Sequence, residues 1–341
     1  MSFVRPLGVV SLAAALILGL AACGSSDKKG TPPPTNGSPT PPTNTVNPLT
    51  LNGEWPLTGL KLNGDLPKHP VYVVKIDNTT SSAPQIGLKS ADMVVQELVE
   101  GGLTRLAVFY YSHVPDLVGP VRSMRASDIG IVKSARANLV ASGGAPPTVR
   151  LLRAAHIHTF TQSAPGFYRN NGRPAPYNLF MKLKELVNSP QGKGQAPLHP
   201  YMAFGPANNF HGNITVTRIA ATFAGGDTTQ FQHTPQGWTR PGSFSQPGQD
   251  FKPDNILLLR VKVGNAGYLD PAGNPVPETD FYGKGAAVLV HGTKAVKCTW
   301  AKRGKPSELR LWDNGKPVKV PAGHTWIALV PAATGSVALA K

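Results

Sequence analysis

Short apolar runs alternate with turns over the first half of the chain. "VYVVKID" (71–77) is rich in β-branched residues and predicts a strand, and "LTRLAVFYY" (103–111) predicts another. "ADMVVQELVE" (91–100) fits strand or helix, since a short apolar run does not discriminate between them. "SDIGIVKSARA" (127–137) begins with Ser and Asp, which favour helix starts, and repeats apolar residues helically at Ile129, Val132 and Ala135. "NLVASGG" (138–144) reads as a strand ending in glycines. "PPTVRLLRAAH" (146–156) reads as a helix whose first turn tolerates proline, because those N–H groups have no intrahelical partner. "NLFMKLKELVN" (178–188) predicts a further amphipathic helix. This alternation predicts an α/β layered N-terminal domain with a mixed sheet.

Beyond residue 210 the pattern changes. "ITVTRIAATFA", "NILLLRVKV", "GAAVLVHGTKAVKCTW", "ELRLWDNGKPVKV" and "HTWIALVP" are strand-like runs separated by turn signals such as "HGTK" and "DNG". They predict a mostly antiparallel β C-terminal domain. The expected layout is a signal segment at 1–22, a linker at 23–47, an N-terminal domain at 48–209 and a C-terminal domain at 210–341.

The N-terminus sets the compartment. Arg5 precedes the apolar run "LGVVSLAAALILGLAA", which ends in "LAAC" at Cys23 before Gly24. The run is short for a membrane span and fits a secretory signal. Its end resembles a bacterial lipobox, in which Cys23 is lipidated and becomes the first mature residue. The expected location is extracytoplasmic, lipid-anchored to the cell membrane. Residues 24–47 are Pro/Thr/Ser/Gly-rich, a composition that buries too little apolar surface to fold and suits a spacer. The chain has two cysteines, so lipidation of Cys23 leaves Cys298 single; in its apolar context Cys298 reads as a buried small residue.

The net charge is +16, which bears on partners rather than on fold. An extracytoplasmic location argues against nucleic acid. From Gly101 to Arg173 there are nine basic residues, eight of them arginine, against Asp116 and Asp128. The planar guanidinium fork suits bidentate recognition of phosphate or carboxylate. "GPVRSMRASD" (119–128) places Arg122 and Arg125 where a strand passes into a helix, and "SGGAPP" (142–147) offers Ser142, Gly143 and Gly144 before the next helix. Strand ends of this kind, beside helix N-termini, are where α/β sheets hold anions. Read from the residues alone, the same arginines also fit a solvated helix surface.

"VEGGLTRLAVFY" (99–110), "GPVRSMRASD", "SGGAPP" and "FYRNNGRPAPYNLF" (167–180), in this order, resemble the signature segments of the YerB-like lipoprotein family of bacteria. "GKGAAVLVHGTKAVKCTWAK" and "LRLWDNGKPVKVPAGHTWIALVP" resemble that family's second domain. The resemblance covers nearly everything from residue 48. It implies a membrane-anchored extracytoplasmic protein with an α/β domain and a β-rich domain, and an envelope or peptidoglycan-synthesis role. It points to Glu100, Arg105, Arg122, Arg125, Asp128, Gly143, Gly144, Arg169 and Asn178. The family pattern has His where this chain has Tyr177, so no proton-transfer role carries over to that position.

The expected ligand-binding set is Arg105, Arg122, Arg125, Asp128, Ser142, Gly143, Gly144, Arg169, Arg173 and Asn178. Arg122 and Arg125 clamp an anion, Arg105 and Arg169 complete the charge, and Asp128 orients an arginine. Glu97 and Glu100 are the candidates for acid/base work; among several arginines, Glu100 reads first as a structural ion pair with a lowered pKa. "HIH" (156–158) sets two imidazoles on one strand face, but no acidic or Cys partner completes a metal set. No cofactor is expected. The basic segment 294–319, with lysine predominant, suits diffuse attraction to lipid head groups or wall polymers. These residues favour binding over catalysis, and together with the role that the resemblance implies the expectation is an accessory or regulatory factor in cell-wall assembly, taking an anionic envelope polymer, a polyprenyl phosphate or an envelope protein. The alternatives are a hydrolase or transferase on a phosphate-bearing or glycan substrate, and a protein-interaction scaffold.

Overall fold

A row of strands with charge at one end organises the molecule. In the computed structural model, which describes residues 47–341, the strands of the main sheet are β1 (Tyr72–Asp77), β2 (Met93–Leu98), β3 (Thr104–Tyr110), β4 (Asn138–Val140), β5 (Thr159–Phe160), β6 (Ile214–Thr215), β7 (Asn255–Leu269), β8 (Pro275–Asp280), β9 (Gly283–His291), β10 (Lys294–Lys302), β11 (Arg310–Asp313), β12 (Lys316–Val318) and β13 (Thr325–Pro331). Their order in this 13-stranded sheet is β12-β11-β10-β9-β7-β13-β2-β3-β1-β4-β5, with β8 paired to β7 and β6 to β10. The predicted signal segment, Cys23 and the linker up to residue 46 lie outside the described residues. No helix among the described residues is long and apolar enough to cross a membrane.

The N-terminal half is a mixed sheet with few helices, as the sequence predicts. β3 pairs antiparallel with β1 and β2, while β4 runs parallel to both β1 and β5. The helices are α1 (Asp128–Val132), α2 (Pro146–Ala154) and α3 (Leu183–Asn188). α1 is shorter than its sequence pattern. It passes into a 3-10 turn at Lys133–Ala135 and is closed by Arg136 with φ 50°.

The ambiguous 91–100 run forms a strand, and every residue of β2 is buried. The helix expected over 178–188 begins only at Leu183. Leu179–Met181 is instead a strand that pairs with Phe167–Arg169 and exchanges backbone hydrogen bonds with Val118. Tertiary pairing overrides a local helical pattern there.

The C-terminal half is mostly antiparallel, with one consequential exception. β13 comes from the last seventeen residues of the chain and runs parallel to both β7 and β2. All seven of its residues are buried, and Ile327 faces Val95 on one side and Leu257 on the other. One sheet therefore crosses the predicted boundary at residues 209–210. Lys302 adds a tie across it by donating to the Gly130 carbonyl at 2.7 Å.

Apolar side chains pack on both faces of the sheet. Val73, Val95, Phe109, Ile327 and Leu257 belong to one core, and Val74, Val94, Val108, Trp326 and Leu258 to the other. A four-stranded sheet containing Arg218–Thr222, Thr228–Thr234, Gly237–Thr239 and Ser336–Ala340 covers the second core, where Phe231 meets Trp326 edge-on at 5.7 Å. Cys298 is buried, and burial pushes its thiol up to about 12.

Because β13 joins the halves, Ile327→Ala is expected to cost about 2–5 kcal/mol through the cavity it leaves. Urea unfolding should remain a single transition by both far-UV circular dichroism and tryptophan fluorescence. Two separated transitions would show that the halves unfold independently.

Candidate functional site

On the face of the sheet that carries Val73, Val95 and Phe109, the side chains change from apolar to ionic toward one end of the strands. Register places Asp77 of β1 opposite Arg105 of β3, and Arg105 opposite Glu97 of β2. The result is a row of acid, base and acid across three strands, the cross-strand pairing that stabilises a sheet. Lys75 lies two residues before Asp77 and so on the same face. It is fully buried, donates to Glu97, and donates to Asp128 Oδ1 at 2.7 Å.

Asp128 is the first residue of α1. Its Oδ2 accepts the Arg125 backbone N–H at 2.7 Å, which fixes the loop ahead of the helix. Asp128, expected to orient an arginine, holds Arg125 by its backbone N–H and does not grip the guanidinium. That task falls to Glu100, which accepts from Arg125 Nε at 2.8 Å and from a terminal Arg125 nitrogen, and from Arg105 at 3.2 Å. Arg105 also donates to the Ser123 carbonyl at 3.0 Å, and Arg125 to the Met124 carbonyl at 2.7 Å. The buried layer therefore sets Lys75, Arg105, Arg122 and Arg125 against Asp77, Glu97, Glu100 and Asp128, four cations against four carboxyls.

Desolvation pushes Glu97 above the usual carboxylate range in spite of Lys75, and its Oε2 makes no hydrogen bond. Burial also pulls the guanidiniums of Arg105, Arg122 and Arg125 below the ordinary arginine value, against the opposing pull of the neighbouring carboxylates.

Above this layer lies a cavity of about 440 Å³ at the carboxyl ends of the parallel strands β1, β4 and β5. Its polar wall includes Arg122, Arg125, Ser142, Gly143, Gly144 and Arg169. Arg122 is ion-paired through Nε to Asp77 Oδ2 at 2.8 Å. Its terminal nitrogens make no hydrogen bond among the described residues; the guanidinium stands 5.2 Å from the centre of the Tyr177 ring. Arg169 donates to Asn178 Oδ1 and to Gln162 Oε1, both at 2.7 Å and both neutral, so no carboxylate offsets its charge there.

The loop ahead of α2 supplies backbone donors. The N–H groups of Gly143, Gly144 and Ala145 donate no hydrogen bond among the described residues, and Pro146 and Pro147 have none to offer. Gly143 has φ +137°, a conformation that glycine adopts readily. A Cβ on Gly144 would lie 2.7 Å from Met124 Cγ, so the close approach of this loop to the Arg122 loop requires glycine. Residues 268–271 at the end of β7, with Val276, close the other wall. Tyr268 is fastened to α2 by a 2.5 Å hydrogen bond with Thr148. Asp270 is the acidic residue of this wall, and its carboxyl is held below the usual range mainly by the Asn274 backbone N–H.

Of the expected residues, Arg122, Arg125, Ser142, Gly143, Gly144 and Arg169 line the cavity. Arg105 and Asp128 lie in the supporting layer, and Asn178 holds Arg169. Arg173 is directed away, donating to the carbonyls of Ser82, Ala83 and Pro84. The "HIH" run does not set two imidazoles on a strand face: His156 follows α2 with φ 55°, and His158 stacks on Phe160 at 4.5 Å. Sequence reasoning missed Lys75, Asp77, Gln162 and the Tyr268–Pro271 arm. The signal available for the first two was a pair of charges ending an otherwise apolar strand.

Two family models match the chain: "Protein of unknown function (DUF3048) N-terminal domain" over residues 57–196, and its C-terminal counterpart over 225–327. The chain is 28% identical over 289 residues to "Putative lipoprotein YerB" of Bacillus subtilis (strain 168), covering 81% of this chain and 86% of that protein. The crystal structure of YerB protein from Bacillus subtilis superposes with a TM-score of 0.68 at 20% identity, covering 84% of this chain and 99% of that one, which supports the fold.

Removing one partner of a buried ionic cluster leaves uncompensated charge, so Lys75→Met is expected to cost about 3–5 kcal/mol at neutral pH. The folded-state pKa of Glu97 lies above its unfolded value. Its contribution is therefore present below the unfolded pKa and is lost as pH rises through the folded one. The Lys75→Met deficit should accordingly shrink as pH falls toward the carboxylate range and grow above it, read as the difference in urea midpoints between variant and wild type. A deficit independent of pH would contradict the assignment.

Proposed function

The chain belongs to the YerB-like family, and on that premise we propose that it is an extracytoplasmic lipoprotein, anchored through Cys23, whose cavity binds the anionic group of an envelope molecule. The observation that carries this reading is the convergence of unused donors on one space. These are the terminal nitrogens of Arg122 and the N–H groups of Gly143, Gly144 and Ala145, with the uncompensated charge of Arg169 beside them. A helix N-terminus and a guanidinium fork both favour a phosphate or carboxylate, and an anion there would offset the desolvation that depresses Arg122.

Binding fits the geometry better than catalysis. Both Glu100 oxygens already accept from guanidiniums, so this carboxylate holds cations in place and is poorly disposed to take a proton. The remaining wall is mostly apolar, with Leu179, Leu269, Pro271 and Val276, and Asp270 is its acidic residue. An anionic head joined to an apolar body suits this combination, which among the expected ligands favours a polyprenyl phosphate. An accessory role in cell-wall assembly follows from that ligand class.

Calorimetric titration of the full chain with farnesyl phosphate tests the reading. Binding is expected, and Arg122→Met should weaken it about 10- to 100-fold, the range for a lost hydrogen bond to a charged group. The circular dichroism spectrum should not change. Absence of binding by the wild type, or equal binding by a folded Arg122→Met variant, would overturn it.

A further inference from the structure

Strands β9, β10 and β11 bury one face along their whole length and the other only around the Val290–Ala295 pair, where Val288 also packs against the second core. On the core side, Ala287 pairs with Cys298, Leu289 with Val296, and Trp300 with Leu311, and all six are buried. The alternate positions form the opposite face: Lys284 pairs with Ala301, Ala286 with Thr299, Val288 with Lys297, and Thr299 with Trp312. Lys284, Ala286, Lys297 and Thr299 are exposed, and Trp312 is half-buried.

The charge on this face is compensated only in part. Neither Lys284 nor Lys297 is in an ion pair among the described residues, and Lys262 on neighbouring β7 is 83% exposed and only 3.9 Å from Asp280. Arg310 lies in the same row as Ala301 and is paired with Glu308 at 2.6 Å. Arg310 also donates to the Asn47 carbonyl, so the described chain begins at the border of this lysine-bearing face.

We infer that this face, Lys284 and Lys297 around Trp312, docks the protein onto the anionic head groups of the bilayer to which Cys23 anchors it. The inference rests on the lipid-anchor reading and goes beyond the cavity. Residues 24–46 separate Cys23 from Asn47; at about 3.1 Å per residue, the reach available to a Pro-rich stretch of this length is on the order of 70 Å. Such a tether confers a high local concentration at the membrane but no orientation. Orientation requires a complementary surface, and the tether joins the fold beside one. Each surface cation contributes about fivefold to partition onto anionic lipid, and a tryptophan among lysines suits the head-group region.

Trp312 supplies the readout, because Trp238, Trp300 and Trp326 are at most 2% exposed. The lipidated full chain carrying Trp55→Phe would be reconstituted in phosphatidylcholine–phosphatidylglycerol vesicles with brominated acyl chains, and in all-phosphatidylcholine vesicles with the same bromination. Trp312 fluorescence should be quenched in the anionic vesicles. Quenching should fall with added salt, and Lys284→Glu/Lys297→Glu should reduce it to the level of the neutral vesicles. Equal quenching in both vesicle types, or no effect of the double substitution, overturns the proposal. Absence of quenching together with protection of the two lysines from acetylation by an anionic wall polymer would also overturn it, and would assign the face to that polymer. Protein that does not float with the vesicles has no anchor, an outcome distinct from anchored protein whose Trp312 stays unquenched; it too rejects docking.

Discussion

A lysine ammonium with no access to water, held between Glu97 and Asp128, is the constraint on which the upper end of this sheet depends. Burying a charge is unfavourable unless it is paired and hydrogen-bonded, so Lys75 fixes where both carboxylates must be. Asp128 in turn fixes the start of α1 and the backbone of Arg125. Glu97 carries the pairing through the sheet register to Arg105, and Arg105 and Arg125 share Glu100. Each group in this layer is positioned by an opposite charge, and together they form the floor of the cavity.

That balance alters the meaning of the arginine count. A segment so rich in arginine suggests a strongly cationic site, yet Arg105 and Arg125 are committed to Glu100, and Arg173 to backbone carbonyls. What faces the cavity is smaller and more specific: the free terminal donors of Arg122, the charge of Arg169 on its two amide partners, and a glycine loop brought close by the absence of a Cβ at Gly144. The C-terminal half contributes the facing wall through Tyr268–Pro271, and β13 holds the two halves in one sheet.

Much of this was legible in the sequence, for identifiable reasons. β1, β3 and α2 follow from β-branched density and from prolines at a helix start, both local signals. The two turns that form the polar wall were legible because strand-to-helix junctions with arginine and glycine have local spacing. The Leu179–Met181 strand was not legible, since its partner Phe167–Arg169 and its bonds to Val118 are tertiary. Neither was the insertion of β13 between β2 and β7, because no local pattern shows which strands a parallel strand will join. Lys75 and Asp77 were visible as charges in a strand, but their roles required the register that sets Asp77 against Arg105.

The central claim is that one layer of arginines is structural while Arg122 and Arg169 remain open to a ligand. The most direct measurement is the arginine side-chain Nε–H spectrum of protein labelled with 15N-arginine, recorded as inorganic pyrophosphate is added. The account predicts that the Arg122 and Arg169 signals move while those of Arg105 and Arg125 stay in place and exchange slowly with solvent. Movement of Arg105 and Arg125, with Arg122 and Arg169 unaffected, would contradict it.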